Sequence, residues 1–300
     1  MIESLVRGVG WSPTFPPSSD GLLTMLYIVA TPIGNLDDIS LRAIKVLQQV
    51  DKIAAEDTRH SQQLLKHLKI NKPLIALHDH NEQTQSKKLI EDLKAGESIA
   101  IISDAGTPLI SDPGFRLVKL AHENNIRVVP IPGACAVITA ICASGLPTDR
   151  FIFEGFLPAK ITARKSHLTT LKSEERTLVF YEAPHRLLDT LKDLGEVFGV
   201  TRHAVLAREL TKTFETIKCG DIQYLFNFVA NDTNQQKGEI VLVVAGVEKD
   251  TKDLAMEISS EAKIILAVLL EELPLKQAAS LTAKITGERK RSLYNYVLTL

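Results

Sequence analysis

Cysteine is scarce in this chain of 300 residues; Cys135, Cys142 and Cys219 are all it has. None stands in a Cys-x-x-Cys spacing. That argues against a structural zinc and a disulfide framework, and fits a reducing, cytoplasmic setting. Charge of one sign is also missing. With 35 Lys and Arg against 36 Asp and Glu, the net charge is −1, so any contact with nucleic acid must use local patches. No apolar run reaches the ~18 residues of a membrane span, and no membrane partner is expected. The single Trp lies in residues 1–24, together with Pro13, Pro16 and Pro17. That segment lacks the basic start and long apolar centre of a signal peptide. Met25 directly precedes the first good strand pattern. It is the expected natural start, with 1–24 a disordered or loosely attached extension.

Glycine and proline are ordinary in number but concentrated in place. Residues 103–114 read Ser-Asp-Ala-Gly-Thr-Pro-Leu-Ile-Ser-Asp-Pro-Gly. The apolar run Ile99–Ile102 leads into them and is short enough for a buried strand. A stretch with two Gly, two Pro, two Asp and two Ser continues neither strand nor helix, so it forms a loop of set shape. Ordinary strand-to-helix loops span about 2–6 residues; this one is longer. Gly106 is expected to let the backbone approach a ligand, and Pro108 and Pro113 to stiffen the loop. Asp112 is expected to cap the next helix, with Pro113 at its first position.

Strand patterns at 26–30, 52–55, 74–77, 99–102 and 126–130 alternate with amphipathic helices. This predicts an α/β fold whose first sheet is mostly parallel and covered on both faces. Polar clusters follow these strands, at Pro32, at Glu56 to His60, at His78 to His80 and at Asp104 to Pro108. In a parallel sheet such loops gather along one edge. Gly145 and Pro147 end a helix, which places the first α/β domain at 25–147. A second α/β domain, 148–249, carries strands packed closely enough in sequence to predict a mixed sheet. From 250 to 300 the pattern is helical, with short helices and tight turns resembling a helix-turn-helix unit. There Arg289, Lys290 and Arg291 adjoin Tyr294 and Tyr296, a combination compatible with RNA contact. A solvated charge run is the alternative.

The 103–114 stretch resembles a signature of the ribosomal-RNA branch of the tetrapyrrole-methylase-like superfamily. Val29 to Leu36, Ala55 to His60, Gly145 to Arg150, Phe180 to Arg186 and Glu209 to Lys212 resemble the same family in the same order. The first loop, Thr31 to Asp38, has only Gly34 where tetrapyrrole-modifying relatives are Gly-rich, which favours the RNA branch. The resemblance spans about residues 26–300. It implies two α/β domains with S-adenosyl-L-methionine in the cleft between them, and a homodimer. The implied activity is methyl transfer to the ribose 2′-hydroxyl of a cytidine in the decoding region of small-subunit rRNA, naked or in the assembled subunit. Carried over by position, it assigns cofactor contacts to Pro32, Asp104, Gly106, Pro108 and Leu109. Ala134, Cys135, Ala136, Tyr181 and Ile240 close the pocket.

The donor carries an activated methyl, so the reaction needs positioning of the hydroxyl and gains from a base. By type and placement the candidates are Asp104, Glu56, Asp57, His60, His78 and Glu182, and the sequence does not choose among them. Arg59, His78, Arg186 and Lys212 are candidates for the RNA, as are Arg289, Lys290 and Arg291; a pair between Arg59 and Glu56 is the alternative for Arg59. His78 and His80 could share an ion on an extended chain. Two ligands fall short of the usual three, so no metal is expected. Cys135 reads as a small packed residue, not a nucleophile. The rival readings are a tetrapyrrole methylase, a non-catalytic ribosome-assembly factor and a metal-dependent phosphohydrolase.

Overall fold

A computed structural model describes residues 25–247 and 258–298. The extension at 1–24 and the boundary at 249/250 lie outside the described residues. Two five-stranded sheets organise the chain, each with helices packed on it, and three more helices follow.

The first sheet has the order β3-β2-β4-β1-β5. Its strands are β1 (Met25–Val29), β2 (Lys52–Ala55), β3 (Leu74–Ala76), β4 (Ile99–Ile102) and β5 (Arg127–Ile131), and every pairing is parallel. The helices between them are α1 (Leu41–Gln49), α2 (Thr58–His67), α3 (Glu82–Lys94) and α4 (Phe115–Glu123). The central strand β4 is buried throughout. Successive side chains of a strand point to opposite faces. Ile99 and Ile101 therefore pack with Leu89, Leu93 and Leu117 on one face, while Ala100 and Ile102 pack with Val46, Leu47 and Leu65 on the other. This is why β4 reads as a continuous apolar run.

The start of α4 departs from the sequence expectation. Its N-cap is Gly114, at φ +126°, and no side chain of the 103–114 loop caps it. The cap comes from α3, where Glu82 Oε1 accepts the Gly114 and Arg116 N–H groups, both at 2.9 Å. Asp112 and Pro113 stay in the loop, and the Asp112 carboxylate is left for another role.

The second sheet is mixed, in the order β6-β7-β10-β8-β9. It comprises β6 (Phe151–Phe156), β7 (Thr177–Glu182), β8 (His203–Arg208), β9 (Thr216–Asp221) and β10 (Ile240–Val244). Only β6 and β7 run parallel. On one face, Leu178, Phe180, Leu206 and Leu242 pack with α7 (Leu187–Phe198) and α8 (Ile222–Asn231). α6 (Ile161–Thr170) adds Leu168 to that core. On the other face, Val179, Val205, Val241 and Val243 pack with Val137, Ala140 and Ile141 of α5 (Ala136–Ser144). Ile33, from the loop after β1, joins the same cluster. Both α5 and Ile33 precede residue 147 in sequence yet pack on the second sheet, so the two halves meet through an apolar core.

The last helices are α9 (Ser260–Glu272), α10 (Leu275–Thr286) and α11 (Lys290–Leu298). They share a small core of Ala262, Leu266, Ala278, Ala279 and Leu293. Gly287, left-handed at φ +76°, ends α10 and turns the chain into α11.

Candidate active site

The loops at the C-terminal ends of β1, β2 and β4 meet the second sheet at a cleft of about 430 Å³. One wall is apolar and aromatic, with Tyr181, Phe156, Ala207, Leu210, Ile240 and Val241. Tyr181 stands edge-on to Phe153 at 4.9 Å and tilted against Phe156 at 5.5 Å. Burial holds its hydroxyl well above the ordinary phenol pKa.

The same cleft holds a crowd of carboxylates. Glu56, Asp104 and Asp112 line it, and Asp79 adds to its field. Burial, with help from Asp112, Asp104 and Asp79, pushes Glu56 up to about 7. Burial pushes Asp112 up to about 6, and the charges of Asp104 and Asp79 add to the rise. Carboxylates crowded in a half-dry site resist ionising together, and a cation placed among them removes that penalty. The cleft thus pairs an apolar wall for a flat ring with an acidic pole for a positive charge. These residues fit the adenine ring, the sulfonium and the ammonium of S-adenosyl-L-methionine.

The loop after β4 takes its shape from one bridge. Thr31 N–H donates to Gly106 O at 2.8 Å, and Gly106 N–H returns a bond to Thr31 O at 3.1 Å. Gly106 sits at φ +83°, and a Cβ there would stand 3.2 Å from Ile33 Cγ2. Its backbone polar groups are therefore spent on Thr31. The glycine serves the left-handed bend and the packing of Ile33. Thr107 Oγ1 donates to Ala134 O, tying this loop to the turn before α5. Leu109 and Ser111 also have positive φ, at +73° and +68°. Strain of this kind in non-glycine residues collects at functional loops.

Of the sequence-assigned cofactor residues, Asp104, Gly106, Cys135, Ala136, Tyr181 and Ile240 line the cleft. Pro108 and Leu109 do not; Pro108 is buried, and Leu109 packs beneath Gly114. Ala134 contributes its carbonyl to Thr107, and Pro32 faces a neighbouring recess. Sequence reasoning missed Ile110, Ser111 and Phe156, gave Asp112 to a helix cap, and passed over Leu210 and Glu239. A signal existed for Ser111 and Asp112, which lie inside the signature stretch. Leu210 also lies in a family-like stretch, Glu209 to Lys212, but its place in the cleft comes from tertiary packing.

The candidates for proton transfer separate clearly. Asp57 caps α2 by accepting the Arg59 N–H, and its own N–H donates to Asp104 Oδ1 at 3.0 Å. Glu182 borders the cleft, but its carboxylate accepts from Ala183 N–H, Arg186 and Thr190. It is buried and occupied. Arg186 is correspondingly committed, to Glu182 and to Leu157 O. Lys212 is held by Glu209 at 2.8 Å and Glu239 at 3.0 Å. Neither cation is free for a phosphate. Arg59 is exposed, and no ion pair joins it to Glu56 among the described residues. His60 faces the neighbouring recess. His78 lines neither space; its Nδ1 is buried without a partner, and its ring lies 6.0 Å from that of His80. Among the described residues, no group of three His, Cys, Asp or Glu is placed to hold a metal ion. Arg289, Lys290 and Arg291 are exposed at the start of α11.

Two α/β halves meeting through a shared core, with a cleft at the strand ends, define a known class. The family model for tetrapyrrole (corrin/porphyrin) methylases matches residues 25–225, and that for the RsmI C-terminal HTH domain matches 257–300. A solved uroporphyrin-III-C-methyltransferase from Thermus thermophilus shares the fold at TM-score 0.54 and 18% identity, covering 74% of this chain and 94% of its own. A diphthine synthase does so at TM-score 0.55 and 15% identity, over 74% and 90%. Nearer relatives are the ribosomal RNA small subunit methyltransferases I of Pseudomonas aeruginosa and Haemophilus influenzae. Each is 57% identical, over 91% and 92% of this chain and 96% and 97% of theirs. The chain belongs to the tetrapyrrole methylase family, in the group formed by the small-subunit ribosomal RNA methyltransferases I.

Proposed function

We propose that this protein is a cytoplasmic S-adenosyl-L-methionine-dependent methyltransferase acting on small-subunit ribosomal RNA. The acceptor is the 2′-hydroxyl of a cytidine in the decoding region. The observation that carries the reading is the cleft, which brings an aromatic wall and a crowd of carboxylates into one space. The names of relatives at 57% identity support RNA as the substrate, as does a separate helical unit with exposed basic residues.

When bound, the cofactor supplies a methyl group on a positively charged sulfur. The protein's part is to hold, orient and take up a proton. Tyr181 and Phe156 offer the ring a dry wall, and Glu56 and Asp112 offer the cation a pole. Asp104 accepts the proton lost by the ribose hydroxyl. Its Oδ1 is fixed by the Asp57 N–H, which leaves Oδ2 for the hydroxyl. Such a fixed acceptor contributes about 10²–10⁴-fold. Arg59, Arg289, Lys290 and Arg291 meet phosphates, which set register without reading sequence. A homodimer belongs to the same reading. Leu41, Phe115 and Phe214 are exposed by 68% or more, and a second copy would cover apolar surface of this kind; sedimentation equilibrium reads the mass.

The experiment is methyl transfer from labelled S-adenosyl-L-methionine to small subunits from cells lacking this gene, followed by mapping of 2′-O-methylation. One modified cytidine in the decoding region is expected, absent with Asp104→Asn. Label on a base, or none at all, rejects the reading.

A further inference from the structure

A second recess, of about 310 Å³, opens beside the cleft. The loop after β1 forms one wall, α2 another, and Lys212 with Glu239 the third. The two spaces share Ile33, Asp104, Ala105 and Glu239. The Asp104 carboxylate therefore stands where they meet. Nothing in the cofactor site uses α2. Yet α2 turns His60, Gln63, Leu64 and His67 into the recess. Positions spaced 3, 4 and 7 apart share one face of a helix. The inward face of α2, Ser61 and Leu65, is buried in the first core.

The polar groups on this stripe are unspent. Among the described residues, the side chains of His60, Gln63 and His67 make no hydrogen bond or ion pair. Their neighbours in the recess, Ile33, Leu36 and Leu64, are apolar. Lys212 is already neutralised by two carboxylates, so the recess offers a phosphate no free ammonium. What suits it is a flat, uncharged ring with polar edges. Unpaired nucleobases have that chemistry. They stack on aromatic side chains, histidine included, and bond through their edges. A glutamine amide presents a donor and an acceptor together.

We propose that this recess receives the base of one unpaired nucleotide, seated by His60, Gln63 and His67 of α2, with its ribose at Asp104. The inference rests on the RNA reading above and adds where the target nucleotide sits and what grips it. It makes α2 the element that positions the acceptor, while the loops after β2 and β4 hold the donor. It also turns His60 from a candidate base into a seating group.

The test uses the full chain, small subunits from cells lacking this gene and labelled S-adenosyl-L-methionine. Gln63→Ala and His67→Ala alter exposed side chains, so the thermal midpoint should not move. Each is expected to lower kcat/KM for the subunit by about tenfold, as loss of a base contact does. Cofactor affinity by calorimetry should stay at the wild-type value. His67→Phe keeps a ring that can stack and should retain more activity than His67→Ala. Unchanged kcat/KM in both alanine variants, with an active wild type, overturns the proposal. An equal loss of cofactor affinity also overturns it, by assigning the recess to the donor. A wild type that transfers no methyl to the subunit overturns the RNA reading and this proposal with it.

Discussion

Glu56 and Asp112 are carboxylates whose chemistry the site alters strongly. Their acidities, about 7 and about 6, record burial first and neighbouring carboxylates second. A bound cation favours their charged forms, so binding must release protons. The affinity for S-adenosyl-L-methionine is expected to rise from about pH 5.5 to about 7.5 and then level. Calorimetry in buffers of different ionisation enthalpy counts the protons released. Glu56→Gln should flatten the rise; a wild-type affinity independent of pH would contradict the acidic pole. Without a ligand the linkage has the opposite consequence. The folded chain holds protons that the unfolded chain has released, so stability falls as pH climbs from the ordinary carboxylate range through 7. Gly34 is decisive in another way. A Cβ there would come within 2.4 Å of Lys212 Cγ. The only glycine of the first loop thus lets the second half's lysine lie across it, while Asn35 N–H donates to Thr211 Oγ1.

Among elements, α4 shows how one helix depends on another. Its first N–H groups have no local partner and take Glu82 from α3 instead. Because Gly114 closes the 103–114 loop, that carboxylate also anchors the loop's end. Glu82→Ala leaves two buried or half-buried donors unsatisfied, a loss of about 1–3 kcal/mol. A lower unfolding midpoint in urea is expected, accompanied by weaker cofactor binding. A stable variant with normal affinity would show that the ties to Thr31, Asp57 and Ala134 hold the loop without Glu82. The contrast with α2 is instructive. Asp57 caps α2 locally, which the sequence can show, whereas Glu82 lies 32 residues from Gly114.

At the scale of the molecule, the two halves and the helical unit divide the work. The cleft exists only because α5 and Ile33 pack on the second sheet and draw the strand-end loops of the first against it. The helical unit carries Arg289, Lys290 and Arg291 at the start of α11, where the helix dipole disfavours cations. Their placement is better explained by a polyanion than by local stability. Replacing all three with alanine is expected to weaken binding to small subunits severalfold, and more at low salt than at high salt. Cofactor affinity should not change. Equal subunit binding by the triple variant would make this helix a structural element only. No helix described here is long and apolar enough to cross a membrane.

The sequence by itself determined the alternation of strands and helices, the parallel first sheet, the mixed second sheet and the loop at 103–114. These follow from period and turn chemistry, which act between residues close along the chain. It also showed which carboxylates gather after the strands. Only the tertiary structure decided what they do. It occupied Glu182 with Arg186 and Thr190, left Asp104 at the junction, freed Asp112 from the helix cap and turned one face of α2 toward a recess. The Glu182 contacts are local, with Arg186 and Thr190 four and eight residues on; the other outcomes depend on partners tens of residues away, brought together by burial of an apolar core whose pairings no local pattern encodes.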